Sequence, residues 1–130
     1  MSLQLFNLSG AKVSEVSEVK DCEYGSNANG EYWKYANGLI IQFINKSIVF
    51  PCATPYGGYF ISDNIKKDIP YRIRTCIYKN ASFQSQGGAM FANEVFVNLD
   101  EMRLNFRLTN GISWGGCNGT ISAIIVGTWK

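Results

Sequence analysis

The sequence predicts an all-β fold, an antiparallel β-sandwich of about seven strands preceded by an extended N-terminal arm. Aromatic residues make up 14% of the 130 residues and charged residues 17%, and glycine occurs 13 times, a composition that favours strands and turns over helices. Short apolar segments are separated by turn signals roughly every 8–12 residues, as in sandwich folds. No segment shows the periodicity of about 3.6 residues that marks an amphipathic helix.

Residues 1–23 differ in pattern from the rest of the chain. Val13, Val16 and Val19 recur at every third position between serine, glutamate and lysine. This spacing is too short for a heptad, and the residues are too β-branched to favour a solvent-exposed helix. We therefore predict an extended or irregular arm over residues 1–23 and a single sandwich domain over residues 24–130.

A β-hairpin signal follows a polar loop that begins at Gly25. Glu31–Tyr35 and Leu39–Phe43 are rich in the aromatic and β-branched residues that strands prefer. Between them lies Ala36-Asn37-Gly38, whose Asn and Gly tolerate the positive φ angles that hairpin turns require. We place Trp33 and Tyr35 on the first strand of this hairpin.

Three shorter elements are predicted after the hairpin. Lys46–Phe50 reads as a third strand ended by Pro51, which cannot donate to a β-ladder. The Pro and Gly content of Thr54–Tyr59 predicts a loop. Ser62–Pro70 predicts a second polar loop or one capped helical turn.

Alternation of apolar and polar residues defines the next strands. Tyr71–Lys79 predicts a strand that buries Tyr71, Ile73, Thr75 and Ile77 on one face. Asn80–Gly88 predicts a polar connection, and Met90–Leu99 a strand. The residues of that strand that share a face are Val95, Val97 and Leu99.

The last third of the chain predicts a turn at Asp100-Glu101 and two further strands. Met102–Thr109 alternates strictly, with Met102, Leu104, Phe106 and Leu108 inward and Arg103, Asn105, Arg107 and Thr109 outward. Asn110–Gly119 predicts a glycine-rich loop. Thr120–Trp129 is apolar on both faces, as in a central strand.

Composition argues against most catalytic and cofactor chemistry. The chain has no histidine, so Ser-His-Asp and Cys-His sites are impossible, and most metal sites lose their commonest ligand. The scattered basic residues and net charge of +2 do not predict a nucleic-acid surface. Asp63 and Asp68 form the best carboxylate pair, but we interpret them as solubilising loop charges. We expect no enzymatic activity, no metal and no cofactor.

The cysteines and the chain start bear on the compartment. Cys22, Cys52, Cys76 and Cys117 match no zinc or redox spacing, so free buried thiols are the favoured interpretation and one or two disulfides the alternative. The start has no basic region followed by an apolar run, and no apolar stretch approaches about 20 residues. We expect no signal peptide and no membrane insertion.

Three predicted loops have a composition suited to sugar recognition, in which aromatic rings stack on pyranose faces and amides bond hydroxyls. The candidate ligand-binding residues are Tyr56 and Tyr59 in the first loop, Gln84 and Gln86 in the second, and Asn110, Trp114 and Asn118 in the third. Packing is the alternative role for each aromatic ring, and turn formation is the alternative role for each amide.

Two runs of residues bracket about 105 residues of the chain. The first comprises Ser26–Gly30, Tyr32, Lys34, Asn37-Gly38 and Ile41-Gln42. The second is Ile124–Lys130, an apolar strand that closes in Gly-x-Trp-Lys. In this order they resemble the opening and the end of the C-terminal domain of bacteriophage tail-fibre proteins, and Ile48–Pro51 loosely fits an apolar run followed by Pro in such domains.

The resemblance implies a phage or prophage tail-fibre tip domain that binds a bacterial surface receptor, chiefly polysaccharide, for host attachment. It implies a homotrimer that assembles with other tail-fibre or baseplate proteins in the virion after synthesis in the host cytoplasm, where thiols stay reduced. It also makes the arm the end of a fibre shaft, with Val13, Val16 and Val19 packed between sister chains. Trp33, Tyr35 and Trp129 are assigned to the core or the subunit interface.

Three other functions are weighed against this one. The first is an architectural or trimerisation module without a ligand. The second is a small carbohydrate-binding lectin unrelated to phage, for which a monomer or dimer is expected. The third, a fragment of a depolymerase, is disfavoured by the size of the chain and its few carboxylates.

Overall fold

Ten strands among the described residues form two antiparallel sheets around one apolar core, which confirms the predicted β-sandwich class. The structure is a computed structural model that describes residues 2–6, 12–17, 21–85 and 90–130, with only the backbone described in the first two segments. None of the described residues belongs to a helix long and apolar enough to cross a membrane.

The strands follow one another with short connections. In chain order they are β1 (Ser2–Phe6), β2 (Lys12–Ser17), β3 (Cys22–Asn27), β4 (Gly30–Tyr35), β5 (Leu39–Cys52), β6 (Thr54–Tyr56), β7 (Tyr59–Ile61), β8 (Ile65–Asp68), β9 (Thr75–Ser85), β10 (Met90–Asn98), β11 (Arg103–Asn110) and β12 (Trp114–Thr128). The first sheet has the order β3-β4-β5-β12-β9. The second has the order β10-β11-β7-β6, with β8 also paired to β11.

Within the predicted arm, β1 and β2 pair antiparallel with each other as a separate two-stranded sheet. Val13 and Val16 lie on β2, where only the backbone is described, and Val19 lies outside the described residues. The packing of these valines between chains therefore stays a prediction.

The centre of the first sheet is the antiparallel pair of β5 and β12, the longest strands at 14 and 15 residues. Their register is continuous from Phe50 opposite Cys117 to Leu39 opposite Thr128. β12 is paired on its other edge with β9, which confirms the prediction of a central last strand. Alternate residues of both strands enter the core; the buried apolar ones are Ile40, Ile44, Ile48, Cys52, Cys117, Ile121, Ala123 and Ile125.

The predicted end of a strand at Pro51 is wrong, because β5 is one strand that runs through Pro51 to Cys52. The register of β12 shifts between Trp114 and Cys117, directly opposite this proline. A residue without an amide hydrogen is tolerated at such a bulge, where the ladder is already interrupted.

The hairpin predicted at Ala36–Gly38 is confirmed between β4 and β5. The amide of Gly38 donates to the carbonyl of Tyr35 at 3.0 Å, and the amide of Leu39 donates to Oδ1 of Asn37 at 3.0 Å. The polar run before it, predicted as a loop, is partly strand, because β3 pairs with β4 along its length.

Four stretches predicted as loops contain strands. Thr54–Tyr59 lies in the β6–β7 hairpin, Ser62–Pro70 contains β8, Asn80–Gly88 begins as the second half of β9, and Asn110–Gly119 contains the start of β12. Each stretch is polar or rich in glycine, so its own propensity is low. Pairing with β11, β5 or β12 makes it a strand, which is the tertiary context that propensity omits.

The face predicted for Tyr71–Lys79 is wrong at Thr75 and Ile77, which are both exposed. β9 begins only at Thr75, and Ile77 is 63% exposed although Ile73 is buried. The register between β9 and β12 shifts so that Val126 faces Tyr78 and Gly127 faces Cys76. Ile77 is therefore the extra residue of a bulge, which turns the alternation outward at that point.

The alternation predicted for β11 is confirmed on its inner face, where Leu104, Phe106 and Leu108 are fully buried. Asn105 and Thr109, predicted to face outward, are only 2% and 7% exposed. β11 lies between β10 on one edge and β7 and β8 on the other, so neighbouring side chains cover its outer face as well.

The turn predicted at Asp100-Glu101 is confirmed between β10 and β11. The amides of both residues donate to Oδ1 of Asn98, at 3.0 and 3.1 Å. Of the three residues predicted to share a face of the Met90–Leu99 strand, Val95 and Val97 both pack against the core, whereas Leu99 lies in the turn and is exposed.

One polar side chain joins the core to the connection between β8 and β9. Gln42 is fully buried on β5. Its Nε2 donates to the carbonyl of Tyr71 at 3.0 Å, and its Oε1 accepts from the amide of Tyr71 at 2.7 Å. Because Tyr71 lies outside the strands, the amide of Gln42 takes the place of a strand partner for its backbone.

The C-terminal aromatic closes one end of the first sheet. Nε1 of Trp129 donates to the carbonyl of Tyr35 at 2.7 Å. Lys34 lies over the rings of Tyr71 and Trp129, 4.7 and 4.6 Å from the centroids, and pairs with Glu23 at 3.0 Å. The hydrogen bonds to Tyr71 and Glu23 raise the pKa of Lys34. These contacts join the last residues of the chain to the β4–β5 hairpin.

All four cysteines are free in the structure. Cys52 and Cys117 are fully buried, and Sγ of Cys52 donates to the carbonyls of Phe60 and Leu108 at 3.3 and 3.4 Å. Burial, with a smaller effect of the neighbouring Cys117 thiol, raises the pKa of Cys52 to about 11. The core therefore contains a neutral thiol between the two sheets.

We expect the substitution Gln42→Met to lower the free energy of unfolding by about 2 kcal/mol or more. Methionine has a similar length but leaves the amide and carbonyl of Tyr71 unpaired, and each unsatisfied buried group costs about 1–3 kcal/mol. Urea denaturation measures the change. The control Gln84→Met, at an exposed position of β9, is expected to stay within about 0.5 kcal/mol of wild type. Equal effects of the two variants would contradict this role of Gln42.

We expect stability to fall at alkaline pH through Cys52. In the unfolded chain the pKa of the thiol is about 8.5, whereas in the folded protein burial raises this pKa to about 11. The stabilisation from the neutral thiol is thus complete below about pH 8.5 and is lost as the pH rises towards 11. Urea midpoints measured across this range are expected to decline less steeply in Cys52→Ala than in wild type. Parallel declines would exclude the thiol as a source.

Candidate ligand-binding site

The outer face of the second sheet carries a cleft of about 340 Å³. The register of the sheet places Phe91 of β10 opposite Thr109 of β11, and Thr109 opposite Ile61 of β7. Residues directly opposite across strands share a face, so one row of side chains forms the floor. We call this site the aromatic cleft, and it is lined by Tyr56, Tyr59, Ile61, Phe91, Asn93, Glu94, Arg107 and Thr109.

Three exposed aromatic rings form the apolar part of the aromatic cleft. Tyr56 and Tyr59 face each other across the β6–β7 hairpin, and their side chains are 67% and 55% exposed. The turn between them is Gly57-Gly58, with φ angles of +54° and +88°, as a two-residue primed turn requires. Phe91 is 56% exposed. The hairpin thus presents flat apolar surfaces to solvent, where they add little to the core.

The polar part of the aromatic cleft consists of two side-chain pairs. Nε of Arg107 lies 3.1 Å from Oε2 of Glu94, and Nδ2 of Asn93 donates to Oγ1 of Thr109 at 2.5 Å. Within the described part of the chain, the terminal nitrogens of Arg107, Oε1 of Glu94 and Oδ1 of Asn93 have no further partner. These groups are available as donors and acceptors for a ligand.

Glu94 reaches this position through a β-bulge. The register between β10 and β11 shifts between Asn93 and Phe96, and Glu94 has a φ of +49°. A non-glycine residue in the left-handed region costs of order 1–3 kcal/mol, and bulges next to functional sites re-aim side chains. A strained backbone therefore holds the carboxylate of Glu94 beside Arg107.

A second groove, of about 570 Å³, crosses the outer face of the first sheet. Phe43 and Ile124, paired across β5 and β12, lie at its centre, and Glu31 and Asn80 lie on either side. Phe43 is the only aromatic residue in its described lining, and that ring makes an edge contact with Trp33 at 5.5 Å. This groove is larger, but its described lining offers one partly exposed ring in place of three, and it contains no ion pair like that of the aromatic cleft.

The structure separates the candidate ligand-binding residues proposed from sequence. Tyr56 and Tyr59 lie together in the aromatic cleft. Gln84 and Asn118 are exposed on β9 and β12 of the first sheet, away from that face. Gln86 lies outside the described residues.

The remaining two candidates have structural surroundings. Asn110 is 3% exposed, and its amide donates to the carbonyl of Ile112 at 3.0 Å while its Oδ1 accepts from the amide of Gly111 at 2.9 Å. Trp114 is half-buried against the core. Neither residue lines the aromatic cleft.

The three aromatic residues assigned to the core or interface lie in three different environments. Trp129 packs against the core. Trp33 lies on the outer face of the first sheet, in contact with Tyr24 and Phe43. Tyr35 is half-buried near Cys22, its cross-strand partner. Whether any of them contacts a second subunit stays a prediction.

Sequence reasoning missed most of the polar lining of the aromatic cleft. Phe91, Asn93 and Glu94 lie on β10, and Arg107 and Thr109 on β11, which we treated only as structural strands. For Arg107 the sequence did contain a signal, because the strict alternation of Met102–Thr109 places this residue on the outward face of its strand. No local signal connects these residues to Tyr56, because only the pairing of β11 with β7 brings them together.

No protein-family model matches the sequence, and no curated protein sequence is significantly similar. Two solved structures share the fold. The first contains C-terminal residues of the P. aeruginosa R1 pyocin fibre, with a TM-score of 0.53 and 15% identity over 98% of this chain and 35% of that chain. The second is an N-truncated R1-type pyocin tail fibre, with a TM-score of 0.50 and 16% identity over 82% of this chain and 84% of that chain.

The two sheets define an antiparallel β-sandwich, and a cleft lies on the outer face of its second sheet. This sandwich has the fold found in R1 pyocin tail fibres, and the recognition of a tail-fibre domain from its sequence is confirmed at the level of fold. The chain spans about a third of the length of the first of these structures.

Proposed function

We propose that this chain is the receptor-binding tip domain of a phage or prophage tail fibre and that it binds a bacterial surface polysaccharide for host attachment. The observation that carries the proposal is the aromatic cleft, in which Tyr56, Tyr59 and Phe91 are exposed beside Glu94 and Arg107. The tail-fibre fold supports a place in a virion tail, assembled with other tail proteins.

The chemistry of the aromatic cleft suits a sugar ring. Exposed aromatic rings offer flat apolar surfaces for the C–H faces of a pyranose, and they gain contact area without ordering long side chains. The unpaired atoms of Glu94, Arg107 and Asn93 supply donors and acceptors for the hydroxyl groups of the same ring.

We also propose that the chain binds without catalysis. Within the described part of the chain, Glu94 is the one carboxylate that lines the aromatic cleft. Glycoside hydrolysis ordinarily requires two carboxyl groups on either side of the scissile bond, about 5–10 Å apart. The lining therefore supports a binding site better than a depolymerase site.

The proposal includes a homotrimer. Three copies on one fibre, and several fibres on one particle, raise avidity by orders of magnitude over a single weak contact. Exposed rings at a solvent-accessible cleft bind single sugars weakly, so multiple copies suit this site.

A second candidate, an architectural or trimerisation module without a ligand, is favoured by one observation. The outer face of the first sheet exposes Tyr24, Phe43, Val49 and Tyr78. Apolar side chains spread over one face are typical of surfaces that pack against another chain. Such a module would not bind glycans.

We expect Tyr56→Ala and Tyr59→Ala each to weaken binding to host surface polysaccharide by about five- to tenfold in Kd, since one stacked ring is worth about 1–1.5 kcal/mol. Biolayer interferometry with purified lipopolysaccharide and capsule from candidate hosts measures the change. Tyr59→Phe keeps the ring and is expected to retain most of the affinity.

Tyr78→Ala is the matched control for these variants. Tyr78 is 52% exposed on β9 of the first sheet, so its removal deletes a similar ring on the other face of the molecule. Unchanged binding in Tyr78→Ala together with loss in the cleft variants supports the site. Equal loss in all three, or no loss in the cleft variants, would sink it.

We expect the purified chain to form a trimer in solution. Light scattering is expected to give a mass near three times 14.5 kDa. The same measurement on a variant that lacks residues 1–23 tests whether these residues are required for assembly. A monomer for both chains would contradict the trimeric tip and leave a small lectin as the better description.

A further inference from the structure

We infer that the aromatic cleft selects an uncharged, hydroxyl-rich sugar over an acidic one, and that the paired side chains of Glu94 and Arg107 set this preference. The inference rests on the proposed polysaccharide binding and names the class of sugar that the site accepts. It follows from the charge of the cleft, from the atoms left free in it, and from the backbone that holds Glu94.

The charges of the aromatic cleft cancel. Among the residues that the structure describes, Arg107 and Glu94 are the only charged ones that line it, and they contact each other at 3.1 Å. A sugar carboxylate or phosphate placed beside Arg107 therefore also lies beside Glu94, and like charges at such a distance repel. A neutral ring meets no such repulsion.

The atoms left free in this pair match neighbouring hydroxyl groups. Arg107 uses Nε for Glu94, and its terminal nitrogens have no partner within the described residues. Glu94 uses Oε2, which leaves Oε1 as an acceptor. Side by side they offer donors and an acceptor, and a hydroxyl group both donates and accepts, so adjacent hydroxyls bond to both side chains at once.

A second arginine on the same strand differs from Arg107 in its carboxylate partners. Arg103, also on β11, contacts Asp68 through Nε at 2.9 Å and Glu101 through one terminal nitrogen at 3.3 Å. The carboxylates of Asp68 and Glu101 together compensate its charge. Arg107 has one carboxylate partner and an open cleft next to it.

Stability gives little reason for Glu94 to occupy its position. The Arg107–Glu94 pair is exposed, with 38% and 64% of the two side chains accessible, and exposed pairs stabilise a protein only weakly. At a φ of +49°, glycine fits the bulge without strain. The backbone of Glu94 thus keeps an unfavourable conformation that places its carboxylate beside the aromatic cleft, as expected of a specificity residue.

The test compares neutral and acidic oligosaccharides of equal length, prepared from bacterial surface polysaccharides, for binding to the full chain by calorimetry. Wild type is expected to bind neutral members at least tenfold more tightly. Its affinity for the neutral members is expected to change less than twofold as the salt concentration rises from about 0.05 to 0.5 M, because salt screens the interactions of charged ligands and leaves those of neutral ligands nearly unchanged.

Glu94→Gln is the decisive variant. It keeps the size and the hydrogen-bonding acceptor but leaves Arg107 uncompensated, so the preference is expected to shift towards acidic sugars by tenfold or more and to become salt-dependent. Glu94→Gly is the folding control, since the backbone already favours glycine, and it is expected to unfold at a urea concentration at or above that of wild type.

Each outcome separates this inference from the proposed function. Wild-type preference for acidic oligosaccharides, or an unchanged preference in Glu94→Gln, would overturn the inference and leave polysaccharide binding intact. Failure to bind any oligosaccharide would overturn both.

Discussion

The antiparallel pairing of β5 with β12 is the constraint on which the rest of the structure depends. Each of these two neighbouring strands places a row of isoleucines on the same side of the core, and every other strand of the first sheet pairs outward from them. The second sheet is then fixed by burial, because Leu104, Phe106 and Leu108 of β11 pack against the same core. Apolar burial has no preferred direction, so by itself it does not fix which residues of two strands lie opposite each other. The hydrogen-bonded ladder of β5 and β12 fixes this register.

Bulges adapt this regular frame to local needs. One bulge opposite Pro51 lets β5 continue past a residue that cannot donate. A second turns Ile77 outward, and a third, on β10, turns Glu94 towards Arg107. A bulge changes the direction of a few side chains and leaves the strand pairing on both sides intact. The third one belongs to the candidate site, while the first two belong to the fold.

The candidate site shows how a sandwich separates stability from recognition. Inward residues of β11 are packed completely, and outward residues of the same strand, Arg107 and Thr109, line the aromatic cleft. The short hairpin of β6 and β7 then adds two tyrosines at the edge of this face. Because a strand directs alternate side chains to opposite faces, the cleft can vary in sequence without disturbing the core.

The sequence by itself determined the sandwich class, the hairpin at Asn37-Gly38, the inner face of β11 and the central place of the last strand. These features depend on local periodicity and turn chemistry, which a short window of residues contains. Only the tertiary structure decided that polar and glycine-rich stretches such as Ile65–Asp68 are strands, and that Glu94 and Arg107 join Tyr56 and Tyr59. Pairing between distant strands decides such features, and its energy comes from cross-strand neighbours that no local pattern specifies.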